Sequence, residues 1–338
     1  MTQAALAQLD DSLRAKRASF DKIPVVDIGP LLDGSDPSKV AKDINWALSN
    51  VGFMYVKNHS VDAQLVSDAF AQTRAFFDLP LEEKMKLHIG KSGATLRGYI
   101  EMFGENTDPA NTRDFKECFD LGPETPGDTT PFFGANPWPQ TEILPAFETV
   151  IYGYHEAMRT LAIRLLRGIA LSLDLPADYF DAKMQNAISI QRLLHYPPQT
   201  GKIDQSVMGI GAHTDYGNLT ILAQDDVGGL QVMNRDGAWV EGPPIPDTFV
   251  INVGDLVQRL TNDVYLANLH RVVNTSGRER YSIPFFIDAD YDAEFGPLPN
   301  CVTPENPARY TPVICGKHKF SRFLDSFPHL ADQAPPTS

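Results

Sequence analysis

The amino-acid sequence predicts an α+β protein in which a helical N-terminal half covers one face of a β-barrel-like core. Apolar residues recur at helical spacing in several segments before residue 174. Nine short β-rich runs separated by turns follow between residues 187 and 287, a density typical of a sandwich or barrel. The apolar content of 43% is enough for a sizeable buried core.

The N-terminal half alternates helices with short strands. Asp36 and Pro37 are suited to cap and begin a helix that continues to Asn50. The other elements predicted before residue 186 are an amphipathic helix over 3–18, strands over 23–28 and 52–57, helices over 63–77 and 81–87, a loop-rich segment over 88–140 with a short strand over 114–121, and a long helix over 141–173.

The second half is predicted to be mainly strands. The nine β-rich runs cover residues 187–196, 210–213, 219–223, 230–233, 238–240, 249–253, 255–260, 269–273 and 282–287. The Asp236-Gly237 pair lies between two of these runs and predicts a β-hairpin. A last helix is expected over residues 316–327.

These elements divide the chain into three regions. Residues 1–185 form an N-terminal helical and mixed region, residues 186–290 form the β-core, and residues 291–338 form a C-terminal extension with a helix. Neither repeats nor low-complexity linkers occur between them, so we expect one integrated structural unit.

Composition excludes several classes of function. Lys plus Arg is 29 and Asp plus Glu is 43, a net charge of −14, which repels nucleic-acid backbones and anionic membrane surfaces. The sequence contains no apolar run of about 18 residues, so no membrane-spanning helix is expected. Residues 3–18 lack the apolar region of a signal peptide. The three cysteines form no CxxC pair, so we expect reduced thiols and a cytoplasmic location. The oligomeric state is not predicted.

The residues with the clearest chemical meaning are two histidines and one aspartate. His213 and Asp215 are two residues apart at the end of a β-rich run, so their side chains point to the same side. His270 follows 55 residues after Asp215, within another β-rich run. Two imidazoles and one carboxylate on one face of a metal leave three positions open, as in non-haem Fe(II) oxygenases.

A second pair of residues predicts a carboxylate receptor. Arg280 lies ten residues after His270, and Ser282 shares its strand parity. A guanidinium beside a hydroxyl can bind a carboxylate through charge-assisted hydrogen bonds. Tyr196, at the end of the run before the metal motif, can add another hydroxyl.

The chain resembles the isopenicillin N synthase-like family of 2-oxoglutarate/Fe(II)-dependent dioxygenases. The resemblance extends over about residues 22–327 and rests on four motifs, which are His213-Thr214-Asp215, His270-Arg271-Val272, Arg280-Tyr281-Ser282 and the segment 192–198. It implies a double-stranded β-helix, or jelly-roll, core with flanking helices. It also implies Fe(II) at His213, Asp215 and His270, and 2-oxoglutarate at Arg280, Ser282 and Tyr196.

The resemblance also implies a reaction. Such an enzyme uses O₂ and 2-oxoglutarate to oxidise, most often to hydroxylate, a small organic substrate, and it releases succinate and CO₂. Within the family, the segments 193–197, 213–217 and 228–232 are most similar to the thymine 7-hydroxylase and bacterial ethylene-forming enzyme branches. Desaturation, cyclisation and ethylene formation stay open as outcomes, as does the identity of the substrate.

Four residues are candidates for the substrate pocket. Arg192 shares strand parity with Tyr196, and a buried guanidinium needs an anionic partner. That partner is either a structural Asp or Glu or a substrate carboxylate, and the sequence leaves both possibilities open. Phe286 shares parity with Arg280 and is expected to form a wall. Arg97 and Tyr99 are further candidates from the loop-rich segment.

Three other functions fit some of these residues. An oxidase of the isopenicillin N synthase type would use Arg280 and Ser282 for its own substrate, without 2-oxoglutarate. A non-catalytic binding protein would keep the metal for stability alone. A zinc hydrolase also uses two His and a carboxylate, but it would leave the Arg280 and Ser282 pair unexplained.

Overall fold

The computed structural model describes residues 8–9, 23–107, 112–199, 202–203, 206–234 and 236–326. Its helices are α1 (Gly29–Leu32), α2 (Pro37–Asn50), α3 (Ala63–Phe77), α4 (Leu81–Lys86), α5 (Phe147–Ser172), α6 (Asp255–Leu260) and α7 (Cys315–Ser326). Its strands are β1 (Gln8–Leu9), β2 (Val25–Asp27), β3 (Phe53–Lys57), β4 (Gly98–Ile100), β5 (Arg113–Asp114), β6 (Glu117–Leu121), β7 (Ala187–Tyr196), β8 (Lys202–Ile203), β9 (Val207–Met208), β10 (Ile210–His213), β11 (Leu219–Gln224), β12 (Leu230–Met233), β13 (Trp239–Glu241), β14 (Phe249–Val253), β15 (His270–Val272), β16 (Arg280–Asp290), β17 (Glu294–Phe295) and β18 (Val313–Ile314).

Twelve of these strands form two main sheets, and the other six form two-stranded sheets, β1-β8, β5-β9 and β17-β18. The larger has eight strands in the order β2-β3-β14-β11-β16-β7-β6-β4, and only its β2–β3 pair is parallel. The smaller has four antiparallel strands in the order β10-β15-β12-β13. Strands β2, β3, β4 and β6 from the N-terminal half therefore belong to the same sheet as β7, β11, β14 and β16.

Helices cover one face of the eight-stranded sheet. Ile221 on β11 and Phe285 on β16 lie opposite each other in the paired strands and point to this face, where they join the same apolar cluster as Phe76 on α3 and Ile151 on α5. Their neighbours along the strands point to the opposite face because side chains alternate across a sheet. Burying this apolar layer is what holds the helical half against the sheet.

The opposite face of the eight-stranded sheet is turned toward the four-stranded sheet. Phe53 and Val250 on this face pack against Leu230 and Val232 of β12. Beyond that apolar contact, the inner face carries polar residues from several strands, and they surround a cavity between the two sheets. The fold thus separates an apolar outer layer under the helices from a polar inner space.

Most elements agree with the sequence prediction. Helix α3 has the predicted bounds, and Asp36 caps α2 by accepting a hydrogen bond of 3.1 Å from the backbone N–H of Lys39. Strands β7, β10, β12 and β14 also match. The predicted hairpin joins β12 to β13, with Met233 paired to Trp239.

Three predictions were wrong in part. Residues 255–260 form helix α6 rather than a strand, because Leu256, Val257 and Leu260 bury one helical face, a pattern that a short apolar run conceals. Helix α5 begins at Phe147 rather than at residue 141, because Pro145 disfavours helical geometry at the preceding residue. The helix predicted over 3–18 lies mostly outside the described residues, and Gln8–Leu9 within it pairs with β8 as a strand.

Within the described ranges, no helix is both long enough and apolar enough to span a membrane.

Candidate metal and co-substrate site

The structure brings the three predicted metal ligands together. Their ligand atoms all lie within 4.8 Å of one another. Asp215 Oδ1 lies 3.8 Å from His213 Nε2 and 3.7 Å from His270 Nε2. Among the described residues this is the group of His, Cys, Asp and Glu side chains that could hold a metal ion. It is positioned by the pairing of His213 on β10 with His270 on β15.

Hydrogen bonds orient each of these side chains. His213 Nδ1 lies 2.8 Å from the carbonyl oxygen of Gly211, and His270 Nδ1 lies 3.2 Å from that of Asn268. A carbonyl can only accept, so Nδ1 carries the proton in both rings and Nε2 keeps its lone pair. Thr220 and Asn252 donate to Asp215 Oδ2, at 2.5 Å and 2.6 Å. The atoms left free, two Nε2 and Oδ1, are those that a metal would need.

The turn that carries Asp215 is fixed by close backbone packing. A Cβ atom on Gly217 would lie 2.2 Å from Asp288 Oδ1, and one on Gly254 would lie 2.3 Å from the carbonyl oxygen of Gly217. The carbonyl of Asp215 accepts a hydrogen bond of 2.9 Å from the backbone N–H of Asp255. The start of helix α6 therefore holds the metal-binding turn in place.

Burial and mutual charge favour the metal-binding protonation states. Burial lowers the pKa of His270 to about 4, assisted by the nearby His213. Burial alone would raise the pKa of Asp215, but the two imidazoles and the hydrogen bonds from Thr220 and Asn252 hold it below its usual range. Neutral imidazoles and an ionised carboxylate are the forms that bind a divalent cation. This donor set fits Fe(II), since it leaves three positions for other ligands.

The predicted co-substrate residues line the same cavity as the metal ligands. Arg280 is fully buried, and its guanidinium lies over the ring of Tyr196, 4.7 Å from the ring centre. The guanidinium donates to the carbonyl of Gly228, to Ser282 Oγ and to Gln224 Oε1, at 2.5 Å, 3.2 Å and 3.3 Å. Burial raises the pKa of Tyr196, so its hydroxyl stays protonated and able to donate.

Arg280 has no carboxylate partner among the described residues. The nearby Asp225 directs its oxygens to the backbone N–H groups of Val227 and Tyr281 instead, at 3.0 Å and 2.6 Å. An unpaired buried cation is costly. Within a cavity, its natural complement is an anionic ligand.

Arg192 lies in the same cavity but does have carboxylate partners. Its Nε and one terminal nitrogen each lie 2.7 Å from an oxygen of Asp120. The other terminal nitrogen lies 2.6 Å from Glu105 Oε2, which also accepts from Lys116 at 2.8 Å. The sequence left open whether the anionic partner of Arg192 is a protein carboxylate or a substrate carboxylate. The structure shows two protein carboxylates, those of Asp120 and Glu105.

The remaining predicted substrate residues are placed differently from one another. Phe286 lines the cavity beside His213 and Asp215. Arg97 and Tyr99 do not line it. Arg97 is buried and donates to the carbonyls of Phe132 and Gly134, while Tyr99 points to the helical face and donates to Glu117. Their side chains support the loop-rich segment, which corrects the expectation that they contact substrate.

Sequence reasoning missed several residues of the site. Thr220 and Asn252 are paired across β11 and β14, where each interrupts an apolar strand. That interruption was a usable signal. Glu105, Lys116 and Asp120 gave no comparable signal, because they lie in or beside an irregular segment and meet Arg192 only through tertiary contacts.

Another cavity of the described structure lies elsewhere. It has a volume of about 540 Å³ and lies beside α3 and the loop before β14, where His59, Arg74 and Asp247 are among its lining residues. It contains none of the three clustered ligands. The chemistry therefore belongs to the smaller cavity between the sheets.

This geometry defines a class, the non-haem iron enzymes with a His-Asp-His site and an adjacent carboxylate receptor. Two family models match the chain. Residues 23–141 match the N-terminal region of non-haem dioxygenases of morphine synthesis, and residues 187–289 match the 2OG-Fe(II) oxygenase superfamily.

The chain is also similar to known 2-oxoglutarate-Fe(II) oxidoreductases and hydroxylases. A 2-oxoglutarate-Fe(II) type oxidoreductase of Emericella nidulans is 34% identical over 302 residues, 86% of each chain. A homoarginine-6-hydroxylase of Glycine max is 34% identical over 332 residues, 92% of this chain and 99% of the relative. The crystal structure of Neurospora crassa thymine 7-hydroxylase with α-ketoglutarate and thymine superposes with a TM-score of 0.80 at 28% identity. It covers 91% of this chain and 98% of that one.

The chain belongs to the 2OG-Fe(II) oxygenase superfamily. It is a 2-oxoglutarate/Fe(II)-dependent dioxygenase, and the predicted family, activity and cofactors are confirmed.

Proposed function

We propose that His213, Asp215 and His270 bind Fe(II), and that Arg280, Ser282 and Tyr196 bind the far carboxylate of 2-oxoglutarate. The observation that carries this assignment is the unpaired Arg280 guanidinium in the cavity that also contains the three ligands. An incoming carboxylate would compensate the buried charge with charge-assisted hydrogen bonds. When bound, Fe(II) supplies the activation of O₂ that is coupled to decarboxylation of 2-oxoglutarate.

The fold around this site is proposed to be a double-stranded β-helix. The support is the pair of facing sheets. Five of the six residues assigned above lie on strands of these sheets, and the sixth, Asp215, lies in the turn that follows β10. Residues 1–185, 186–290 and 291–338 would then act as one unit, since strands from the first region complete the larger sheet. Lys319 of α7 also lines the cavity.

The proposed outcome is hydroxylation of a small organic molecule. One oxygen atom of O₂ enters the substrate C–H bond, and the other enters succinate as 2-oxoglutarate loses CO₂. Thymine is bound by one structural relative, and homoarginine is named as the substrate of another relative. Both are polar, nitrogen-containing molecules, and we propose that class here. Phe286 and Arg192 are proposed to lie on the substrate side.

The location in the cell is proposed to be a reducing one, as the cytoplasm is. Cys118, Cys301 and Cys315 are all unpaired and buried, which suits a compartment where thiols stay reduced. The expectation that the protein binds neither nucleic acid nor membranes rests on its net charge of −14 and stays a prediction.

An anaerobic titration tests the assignment. Fe(II) and then 2-oxoglutarate are added to metal-free protein, and the visible charge-transfer band of the chelate is followed. We expect the band in the wild type and its loss or weakening in Arg280→Ala. Arg278→Ala is the matched control, because Arg278 is exposed and pairs with Asp226 at the surface. A normal band in Arg280→Ala would reject the carboxylate receptor. Iron binding without a band in the wild type would instead support a 2-oxoglutarate-independent oxidase.

A further inference from the structure

The cavity between the sheets has a second end, formed by the irregular segment between β4 and β5. Glu105 lines this end together with His213, Asp215 and Phe286. The residue is 6% exposed. Its Oε2 accepts from Lys116 and Arg192, whereas no described residue donates to its Oε1. One carboxylate oxygen beside the metal ligands therefore has no partner within the described structure.

Glu105 keeps its negative charge in this position. Burial alone would raise its pKa, but the positive charges of Arg192 and Lys116 lower the pKa to about 2. Glu105 lines the cavity, and its Oε1 is not among the fully enclosed side-chain atoms without a partner. A donor group on a ligand in the cavity can therefore bind this oxygen with a charge-assisted hydrogen bond.

The charges around Glu105 do not balance. Glu105, Asp114 and Asp120 provide three carboxylates, and Lys116 and Arg192 provide two cations. The cluster thus carries one excess negative charge.

Each oxygen of the other two carboxylates of the cluster already accepts a hydrogen bond. Both oxygens of Asp120 accept from Arg192. Asp114 accepts from the backbone N–H groups of Gly211 and Thr107 and lies 3.3 Å from Lys116. As far as the described residues go, Glu105 Oε1 is therefore the carboxylate oxygen of this cluster that accepts no hydrogen bond.

The cations at this end are not available to an anionic substrate. The guanidinium of Arg192 already faces two carboxylates, and Lys319, which also lines this end, donates to the buried Asp288. A substrate carboxylate placed here would meet the excess negative charge. The electrostatics of this end therefore differ in sign from those of the Arg280 end.

We propose that the substrate carries a positively charged N–H group, an ammonium or a guanidinium, and that Glu105 Oε1 binds this group. Glu105 is then a specificity-determining residue, and it places the substrate next to His213 and Asp215. This inference rests on the proposed function, because it assumes that the Arg280 end of the cavity is filled by 2-oxoglutarate.

The test uses matched pairs of compounds that differ in charge. L-Arginine is paired with L-citrulline, agmatine with N-carbamoylputrescine, and L-lysine with L-norleucine. Each is titrated anaerobically into protein loaded with Fe(II) and 2-oxoglutarate, and the dissociation constant is read from the change in the charge-transfer band. We expect the cationic member of at least one pair to bind at least about ten-fold more tightly, as a charge-assisted hydrogen bond predicts.

Two variants with the same change in charge separate the free oxygen from the general electrostatics. Glu105→Gln should abolish the cationic preference. Asp120→Asn removes one negative charge from the same cluster but leaves Glu105 Oε1 in place, so it should keep the preference. Urea unfolding of both variants verifies that each is folded.

The possible results are distinct. An absent band in the wild type, before any compound is added, would reject the proposed function itself. A normal band with no response to any cationic compound, with tighter binding of neutral members, or with the preference intact in Glu105→Gln would overturn the role of Glu105.

Discussion

Two arginines line one cavity, both on the inner face of the eight-stranded sheet, but their surroundings differ. Arg280 is fully buried, and the side chain of Arg192 is 12% exposed. Among the described residues, Arg280 donates to neutral oxygens, including those of Gly228, Ser282 and Gln224. Arg192 is held by the carboxylates of Asp120 and Glu105. Burial of a guanidinium therefore does not by itself indicate a ligand site. The absence of a carboxylate partner within the described protein indicates one.

The first prediction concerns Arg192, the arginine whose charge is compensated by carboxylates. Arg192→Leu leaves Asp120 and Glu105 buried without their main partner, so we expect the free energy of unfolding to fall by about 3–5 kcal/mol. The KM for 2-oxoglutarate should stay within about three-fold of the wild type, since Arg192 is not assigned to that carboxylate. Urea unfolding and initial-rate kinetics measure the two quantities.

The double variant Arg192→Leu/Asp120→Leu is the control for that experiment. It removes the buried pair together and should recover part of the lost stability. A stable Arg192→Leu protein with a KM for 2-oxoglutarate raised more than about ten-fold would reverse the roles assigned to the two arginines.

The second prediction concerns the uncompensated arginine. Arg280→Leu should raise the KM for 2-oxoglutarate at least about 100-fold, because the receptor loses its charge and its hydrogen bonds. The free energy of unfolding should fall by no more than about 1 kcal/mol, because no carboxylate is left unpaired. A fall as large as that in Arg192→Leu would show that Arg280 is structural instead.

A third prediction asks whether the metal ligands depend on residues of the larger sheet. Asn252→Leu removes a donor to Asp215 Oδ2, and we expect Fe(II) affinity to drop about 10–100-fold. Metal competition with a chromophoric chelator measures it. Asn45→Leu is a control, because Asn45 bonds Ser172 and Tyr265 far from the metal. Equal iron affinity in both variants would contradict the orienting role of Asn252.

The smallest expected effect is on the pH dependence of stability. Burial alone would raise the pKa of Glu105, but Arg192 and Lys116 lower it to about 2. The ionised side chain therefore stabilises the fold at any pH above 4.5, the usual pKa of a glutamate. That contribution is lost as the pH falls from about 4.5 toward 2. The difference in unfolding free energy between wild type and Glu105→Gln should therefore narrow below pH 4.5. If the difference in unfolding free energy stayed constant down to pH 3, that would contradict the ion pairing of Glu105 with Arg192 and Lys116.

Much of the metal site could be predicted from the sequence because its geometry is local. Residues two apart on a strand share a face, which relates His213 to Asp215 and Arg280 to Ser282. The sequence also indicated His270 and Tyr196, the resemblance assigned both a role, and the structure places both beside the others. Tyr99 was a candidate only because it lies in the loop-rich segment, and nothing in the sequence tells which face of β4 points to the cavity.

The substrate end could not be predicted in this way. Arg192 and Glu105 are 87 residues apart, and Arg192 and Asp120 are 72 apart. Glu105 lies in a segment without periodicity, so no local pattern indicates where its side chain points. The sequence required an anionic partner for Arg192 but could not choose between a protein carboxylate and a substrate.

Periodicity, spacing and residue chemistry were enough to predict the α+β class, most helices and strands, the proposed metal ligands and the proposed carboxylate receptor. The tertiary structure alone decided which arginine keeps an available charge, which carboxylate keeps a free oxygen, and that residues 255–260 form a helix bracing the metal-binding turn. These depend on long-range packing, where burial and the distance between charges set the energies. Neither quantity is written in the local sequence.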